Sequence, residues 1–362
     1  MPLPSDEKLI ALSQDLLGKF DTIFGLHPGF RPAHARGTML TGTFTPSLDA
    51  ASLTRAPHIA RDSTPVTARF SNATGLPLIP DNDPNANPRG LAIRFHLAER
   101  VHTDIISHST DGFPTRTGQE FLEFLRAAAS SDPSKPPPSP IQTYLGSHPK
   151  ALAFVQTPKP SPSSFARESY FGVTALRFIN KDGVSRYGRY RIRPDAGTEH
   201  LDEATAKSKD ANYLFDELKE RIASGPVGFQ ILVQVANDDD IADDATIHWP
   251  EEQPLVSLGK IVLTKRVPDD AHEHPRRVGQ LCDLPQPELS TARSQVPWTS
   301  HRIAGSCEYQ PARRTLFFKK SRISAACSAV GSPSPSDHPF RVFTETPIVS
   351  AISGICWRMM SL

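Results

Sequence analysis

The chain has 362 residues, enough for one large domain or for two domains of ordinary size. Its formal net charge is +1 with 22% charged residues, so no global electric field favours nucleic acid or a membrane surface as a partner. No stretch is long and apolar enough for a transmembrane helix, and the N-terminus lacks the basic and apolar pattern of a signal peptide. These features predict a soluble intracellular protein, located in the cytoplasm.

The N-terminal part of the chain is predicted to begin with an amphipathic helix over residues 6–20. Ser5 is a suitable N-cap, and four large apolar residues then recur at helical spacing: Leu9, Leu12, Leu16 and Phe20. Glycine and proline interrupt this pattern between residues 24 and 32. We therefore expect the helix to end there and a first strand to begin near His34.

A second strand is predicted over residues 66–71, where apolar and polar side chains alternate. The polar face carries Thr67, Arg69 and Ser71, and the opposite face is entirely apolar. An arginine and a hydroxyl on the outer face of such a strand are unusual. They make this face a candidate for a functional site.

The rest of the chain alternates between predicted helices, proline-rich loops and strands. Helices are expected over residues 119–129, 143–154 and 213–222, with proline-rich loops over 76–88 and 133–140. Further strands are expected over residues 91–97, 103–106, 172–179, 187–193, 229–235 and 258–264. Four side chains share one face of the strand at 187–193, which we interpret as a solvated or ion-paired face: Tyr187, Arg189, Arg191 and Arg193. Antiparallel strands with inserted helices predict an α+β fold built on a closed or nearly closed sheet.

The polar residues near the first two strands form a set with a possible common chemistry. Arg31 and His34 precede the flexible Gly37, while Arg69 and Ser71 lie on the polar strand face. An imidazole, a hydroxyl that orients it and two arginines that hold an anionic cofactor together suit a haem pocket that splits peroxide. Each residue alone also has a structural interpretation, since an isolated histidine is more often a satisfied structural side chain.

Several motifs follow one another in the order found in a known enzyme family. They are His34-Ala35-Arg36-Gly37, Arg69-Phe70-Ser71-Asn72, Asn87-Pro88-Arg89-Gly90, the segment 171–178 and His248-Trp249-Pro250. Across about residues 13–274 the sequence resembles the haem catalases, and in particular their short relatives, the catalase-related peroxidases. The resemblance implies a catalase-like antiparallel barrel of eight strands, with haem as the cofactor and a small peroxide as the substrate.

The resemblance also implies roles for individual residues. His34 matches the histidine that moves a proton between the two oxygens of a peroxide, and Ser71 matches the hydroxyl that holds its ring. Arg31 and Arg69 match arginines that pair with the haem propionates, for which a guanidinium offers fixed bidentate donors. Two aromatic residues match positions that line the haem, although ordinary core packing is the alternative for both: Phe113 and Phe121.

One position in the expected pocket departs from the larger catalases. Those enzymes carry an asparagine in a sequence like Asp-Leu-Val-Gly-Asn-Asn, whereas this chain has Asp104-Ile105-Ile106-Ser107-His108-Ser109. His108 therefore stands where the family has a neutral amide. A second imidazole there retains a hydrogen-bonding group for peroxide. It is expected to favour peroxidase cycles with an organic reductant over rapid dismutation.

The likeness to the family stops after His274, so we predict a barrel core over residues 1–275 and a divergent, poorly ordered tail over 276–362. The family binds iron through a tyrosine four residues after an arginine. The tail has no such pair, because Gly305 stands four residues before its one tyrosine, Tyr309. The metal ligand therefore stays open, with Cys307, His338 and Tyr309 as substitutes.

The composition of the tail differs from that of the core. Basic residues outnumber acidic ones, serine is frequent, and all four cysteines of the chain lie there: Cys282, Cys307, Cys327 and Cys356. Their spacing matches no zinc site, and nothing indicates an oxidising compartment that would support disulfides. A translated intron or a shifted reading frame produces a segment of this kind.

Three functions remain open at this stage. The first is a haem-dependent, catalase-related peroxidase that acts on hydrogen peroxide and on organic peroxides. The second is a degenerate barrel that binds haem weakly, or acts as a non-enzymatic binding protein, because the tyrosine ligand is missing. The third shares the fold but rearranges fatty-acid hydroperoxides. The sequence predicts no nucleic-acid or membrane partner, and it leaves the oligomeric state and the reductant open.

Overall fold

Antiparallel pairing connects all the strands of the computed structural model, which describes residues 6–99 and 101–268. The strands are β1 (Gly37–Pro46), β2 (Thr64–Ser71), β3 (Gly90–Ala98), β4 (Val101–His108), β5 (Tyr170–Phe171), β6 (Leu176–Ile179), β7 (Ser185–Pro194), β8 (Val227–Val235) and β9 (Leu255–Arg266). Their order is β5-β4-β3-β2-β1-β9-β8-β7-β6, and β5 also pairs with β7. The last pairing closes the sheet, and β5 and β6 share one place beside β7. The result is the predicted eight-stranded antiparallel barrel.

Only the second half of the strand predicted over residues 172–179 is a strand in the structure, Leu176–Ile179. Tyr170–Phe171 and Leu176–Ile179 pair with different parts of β7, and the residues between them leave the sheet. Val173 is buried in a cluster of helices outside the barrel, whereas Phe178 packs in the barrel core. The alternating pattern of this segment therefore reflects burial on two different layers, which periodicity alone does not distinguish.

Seven α-helices accompany the barrel in the part of the chain that the structure describes. They are α1 (Glu7–Phe24), α2 (Ala50–Leu53), α3 (Gly118–Ala129), α4 (Pro140–Ser147), α5 (Pro149–Gln156), α6 (Glu203–Ser208) and α7 (Tyr213–Ser224). The predicted first helix is present and longer than expected. Asp6 caps it by accepting hydrogen bonds from the backbone N–H groups of Lys8 and Leu9. The predicted cap Ser5 lies outside the described residues.

The helix predicted over residues 143–154 is two helices in the structure, α4 and α5, which meet at His148. Pro149 follows directly, and a proline both lacks an N–H donor and disfavours helical geometry at the preceding residue. The two short helices pack with α1 and α3 into a second hydrophobic cluster, which includes Leu16, Phe20 and Phe124. This helical layer lies apart from the barrel core, which contains Phe70, Phe229 and other inward-facing residues.

The basic face predicted on β7 is only partly as expected. Arg191 forms an ion pair with Asp111 at 2.8 Å, in agreement with that interpretation. Arg189, however, is 1% exposed and is not solvated. Its guanidinium donates to the carbonyl oxygens of Ile247 and Asp244 and stacks on the ring of Trp249 at 4.2 Å. A loop that covers the strand accounts for the difference, and strand periodicity carries no information about such a cover.

The predicted tail over residues 276–362, with its candidate ligands Cys307, His338 and Tyr309, lies outside the described residues. Among the helices that the structure does describe, none has the length and apolar character needed to span a bilayer.

Candidate active site

One row of paired residues crosses four strands at the same end of the barrel. Ser71 on β2 pairs with Gly37 on β1 and with Gly90 on β3, and Gly90 in turn pairs with His108 on β4. Directly paired residues point to the same face of a sheet. This face is the outer one, because the neighbouring Phe70 belongs to the barrel core. The two glycines carry no side chains, so Ser71 and His108 are the polar side chains of the row.

His34 lies over this row and is completely buried. Its Nδ1 is 3.0 Å from the Ser71 Oγ, a hydrogen bond whose donor depends on the tautomer of the ring. The backbone of His34 has a φ of 51°, in the left-handed region that side chains rarely adopt. Two contacts hold that conformation: the His34 N–H donates to the Ala73 oxygen at 3.3 Å, and the His34 oxygen accepts from Arg69 Nη2 at 2.9 Å.

The electrostatic surroundings of His34 keep its ring neutral. Burial lowers its pKa well below the ordinary value, and the charges of Arg69, His108 and Arg31 lower it further, in that order. The backbone of Asn72 acts in the opposite direction and is the weakest influence. A neutral imidazole at neutral pH is able to accept a proton.

Arg69 brings a positive charge into the buried site. It is 8% exposed, and its Nη2 donates to the carbonyl oxygens of His34 and Ala35 at 2.9 and 3.3 Å. No carboxylate of the described residues forms an ion pair with it, and its Nε is buried without a partner there. Burial and the charge of Arg31 both lower its pKa. Such a group is stabilised when an anion binds beside it.

Gly37 provides the space that Arg69 occupies. A Cβ atom at residue 37 would lie 2.5 Å from the Arg69 Cζ and 2.6 Å from the carbonyl oxygen of Phe70. Both distances are far shorter than van der Waals contact. The glycine in the His34-Ala35-Arg36-Gly37 motif therefore has a specific steric reason, the close approach of a guanidinium.

The remaining predicted residues fall in two places. Arg31 is close enough to His34 and Arg69 to lower the pKa of both. The rings of Phe113 and Phe121 pack at a tilted angle with centroids 5.3 Å apart, and the Phe121 ring also lies 6.2 Å from that of Phe20, inside the helical cluster. That cluster includes Ala33, the residue before His34. The phenylalanines thus border the segment of the histidine through core packing.

Sequence reasoning missed a buried polar network beneath the row. Arg89, which is 0% exposed, donates from Nη1 to the Asn72 Oδ1 at 2.6 Å and from Nη2 to the Asp81 oxygen at 2.7 Å. Asn72 donates in turn to the Asp81 Oδ1 at 2.9 Å. The sequence offered one signal, an arginine directly before the glycine that starts a strand. The loop that carries Asp81 offered no sequence signal for this network.

No cluster of three or more histidine, cysteine, aspartate or glutamate side chains suited to a metal ion occurs within residues 6–99 and 101–268. The site consists of imidazole, hydroxyl and guanidinium groups on the outer wall of a barrel.

Comparison with known proteins decides the family. The family model described as Catalase matches residues 29–278, more than half of the chain. The chain belongs to the catalase family. This membership confirms the resemblance inferred from the motifs.

Two relatives within the catalase family are the most informative. A catalase-related peroxidase of Mycolicibacterium paratuberculosis is 35% identical over 253 residues, which cover 69% of this chain and 78% of that protein. A catalase-related peroxidase of Synechococcus elongatus is 32% identical over 258 residues, covering 70% of this chain and 75% of that protein.

Solved catalases share the fold. A fungal catalase superposes with a TM-score of 0.58 at 22% identity, over 67% of this chain and 51% of that protein. The chain thus spans about half the length of this solved catalase. At this level of identity the likeness concerns the fold alone.

Proposed function

We propose that this chain is a haem-dependent peroxidase that reduces or dismutates hydrogen peroxide, with organic peroxides as a second class of substrate. The catalase family consists of oxidoreductases that act on peroxide, and this chain is a member. The observation that carries the proposal further is the buried histidine beside a buried arginine that has no carboxylate partner among the described residues. That combination fits a proton relay next to a bound anion.

The arginines beside His34 fit a bound haem. Haem carries two propionate carboxylates, which are the anions that Arg69 and Arg31 would hold through charge-assisted hydrogen bonds. The Arg69 Nε, buried without a partner in the described part of the chain, is a donor available for such a contact. When bound, haem supplies the iron that takes oxidising equivalents from peroxide.

His34 would carry the proton in this reaction. With Nδ1 donating to the Ser71 Oγ, the lone pair of Nε2 accepts a proton from one peroxide oxygen and returns it to the other as the O–O bond breaks. The contact with Ser71 holds the plane of the ring. The lowered pKa of His34 keeps the ring unprotonated, which is the form that this step requires.

His108 would set the balance between dismutation of hydrogen peroxide and oxidation of an organic reductant. It stands in the same row as Ser71, one strand beyond the side-chain-free Gly90, and it is 3% exposed. An imidazole changes its charge with pH, whereas the amide of the larger catalases does not. We expect His108→Asn to raise dismutation relative to oxidation of a phenolic reductant. An unchanged ratio of the two rates would remove His108 from this role.

A haem titration tests the proposal. The wild-type chain, Arg69→Met and Arg94→Met are titrated with haem while the Soret band is followed. Arg94 is the matched control, because it lies on the next strand and already has a bidentate partner in Asp104, at 2.8 and 2.7 Å. We expect saturable binding by the wild type. We also expect about 10- to 100-fold weaker binding for Arg69→Met only, the effect of one lost charged hydrogen bond.

Two results would contradict the proposal. Absence of a Soret band in the wild type would reject the haem peroxidase in favour of a non-enzymatic binding protein. Equal weakening in both variants would show that Arg69 has no special contact with the cofactor.

A further inference from the structure

Arg89 connects three strand ends that carry the candidate active site. It directly precedes Gly90, the first residue of β3. Its side chain donates to Asn72, which directly follows Ser71 at the end of β2. Its backbone exchanges two hydrogen bonds with Ser109, which directly follows His108 at the end of β4: Arg89 N to Ser109 Oγ at 2.9 Å, and Ser109 N to the Arg89 oxygen at 2.8 Å.

The same network reaches the segment that carries His34. The Asn72 N–H donates to the Arg36 oxygen at 3.0 Å, and the His34 N–H donates to the oxygen of Ala73. The backbone of residues 34–36 is therefore attached to the loop that begins at Asn72. A displacement of that loop therefore changes the position of His34 relative to Ser71.

Asp81 completes the network from the opposite side. It is 0% exposed, accepts from Asn72 Nδ2 through Oδ1, and accepts from the Leu214 N–H through Oδ2 at 3.0 Å. Arg36 lies 3.5 Å from the same carboxylate. The buried guanidinium of Arg89 thus has a nearby negative charge, and the loop over residues 72–89 is fixed at both ends and at its middle.

We propose that Arg89 is a positioning residue that sets the distance between His34 and Ser71 and the place of His108 in the row. The effect of Arg89 on the rate of peroxide cleavage rests on the proposed function, while its effect on the positions of His34 and Ser71 does not. Arg89 does not touch the substrate. Its rigid fork contacts Asn72 and Asp81 at once, which a lysine, with one flexible ammonium, does not reproduce.

The test uses Arg89→Lys in the full chain, with Arg189→Lys as a matched control. Both arginines are almost completely buried, and both donate to backbone oxygens, but Arg189 lies on β7 and holds the loop around Trp249. Lysine keeps the positive charge near Asp81, which limits the risk of unfolding. Asn72→Ala is the second variant, because it removes only the contact with Arg89 Nη1 and its own contact with Asp81.

We expect three changes in Arg89→Lys and none in Arg189→Lys. A crystal structure should show the His34 Nδ1 to Ser71 Oγ separation increased from 3.0 Å to beyond hydrogen-bond distance. The kcat for peroxide should fall by about 100-fold at similar haem content, since small misplacements of reacting groups have effects of this size. The acidic limb of the kcat/KM profile should move to higher pH, because a displaced His34 loses part of the surroundings that lower its pKa.

An intact His34–Ser71 hydrogen bond in the Arg89→Lys and Asn72→Ala crystal structures would overturn the inference, as would equal losses in the Arg189→Lys control. Failure of the proposed function gives a different result. Normal peroxide cleavage by haem-loaded His34→Ala would reject the relay, whereas the crystal structures would still decide whether Arg89 positions the histidine.

Discussion

His34 has a backbone conformation that costs free energy in any residue with a side chain. Its φ of 51° is the one positive value at a non-glycine position among the described residues. Strained residues of this kind cost about 1–3 kcal/mol and occur mainly where function requires a particular side-chain direction. Here the left-handed turn brings the imidazole against Ser71, which a regular strand start would not do.

The strain predicts a difference between two substitutions. His34→Gly should be more stable than His34→Ala by about 1 kcal/mol, because glycine adopts positive φ without steric conflict. Both variants remove the imidazole, and they differ in one methyl group and in the backbone freedom of residue 34. Chemical denaturation of both proteins measures it, and equal free energies of unfolding would show that residue 34 is not strained.

A second buried histidine makes stability depend on pH. His58 is 5% exposed and lies between Phe95, with ring centroids 4.5 Å apart, and Phe44 at 5.7 Å. Burial lowers its pKa from 6.5 to about 4. The unfolded chain therefore binds a proton at a pH where the folded chain does not, so the stability present above pH 6.5 declines as the pH falls toward 4.

The expected loss from His58 between pH 7 and pH 5 is about 2 kcal/mol, and His58→Phe should remove it. His200→Gln is the control, because the contribution of His200 to stability has the opposite pH dependence. The hydrogen bond that His200 donates to the Glu168 carboxylate raises the pKa of His200, so its stabilising effect is present at acidic pH and is lost as the pH rises. Denaturation at both pH values measures the two effects. An unchanged pH dependence in His58→Phe would contradict the account.

At the scale of single residues, the sequence predicted the parts of the site that follow strand periodicity or a short motif. Arg69 and Ser71 were placed on one face by alternation alone, and the structure places them there. The network of Asn72, Asp81 and Arg89 was not predicted. Its members are separated by a loop, and their hydrogen bonds depend on how that loop folds back over the end of the sheet.

At the scale of elements, β1 and β2 show how a glycine determines what a neighbouring strand can carry. Gly37→Ala places a methyl group 2.5 Å from the Arg69 Cζ and 2.6 Å from a backbone oxygen. We expect a destabilisation of about 1–3 kcal/mol from overpacking, together with weaker haem binding.

Gly146→Ala is the matched control for this substitution. Gly146 lies in α4, and a Cβ there meets nothing within 4 Å. Alanine at that position should instead stabilise the helix by about 0.5–1 kcal/mol. Thermal unfolding and haem titration of the two variants measure these effects. Similar behaviour of both proteins would show that Arg69 adapts to a side chain at residue 37.

The elements themselves were largely predictable, because long periodic segments determine helices and strands locally. The two exceptions have causes of different kinds, one local and one tertiary. A proline divided α4 from α5, a signal that the sequence contained. The separation of Tyr170–Phe171 from Leu176–Ile179 arises because Val173 packs on the helical layer, a tertiary contact that no local pattern reports.

At the scale of the whole molecule, closure of the barrel followed from the family resemblance and not from the strand count.

The sequence also predicts a tail beyond residue 275 that supplies no tyrosinate to the iron. Without an anionic ligand on that side, electron donation that helps O–O cleavage is lost. Tyr309→Phe should therefore leave the visible spectrum of the haem-loaded chain unchanged. Loss of a tyrosinate-type high-spin spectrum in Tyr309→Phe would identify Tyr309 as the ligand.

The most direct measurement is the rate of hydrogen peroxide cleavage by haem-loaded His34→Ala, compared with the wild type and with His96→Ala. His96 is the matched control, because it also lies on the outer wall and also contacts a hydroxyl, the Thr67 Oγ1 at 2.9 Å. We expect a loss of about a hundred- to ten-thousand-fold in His34→Ala at unchanged haem content, and a normal rate in His96→Ala. An unchanged rate in His34→Ala would show that His34 is not the proton relay and would assign that role to another group, with His108 the first candidate.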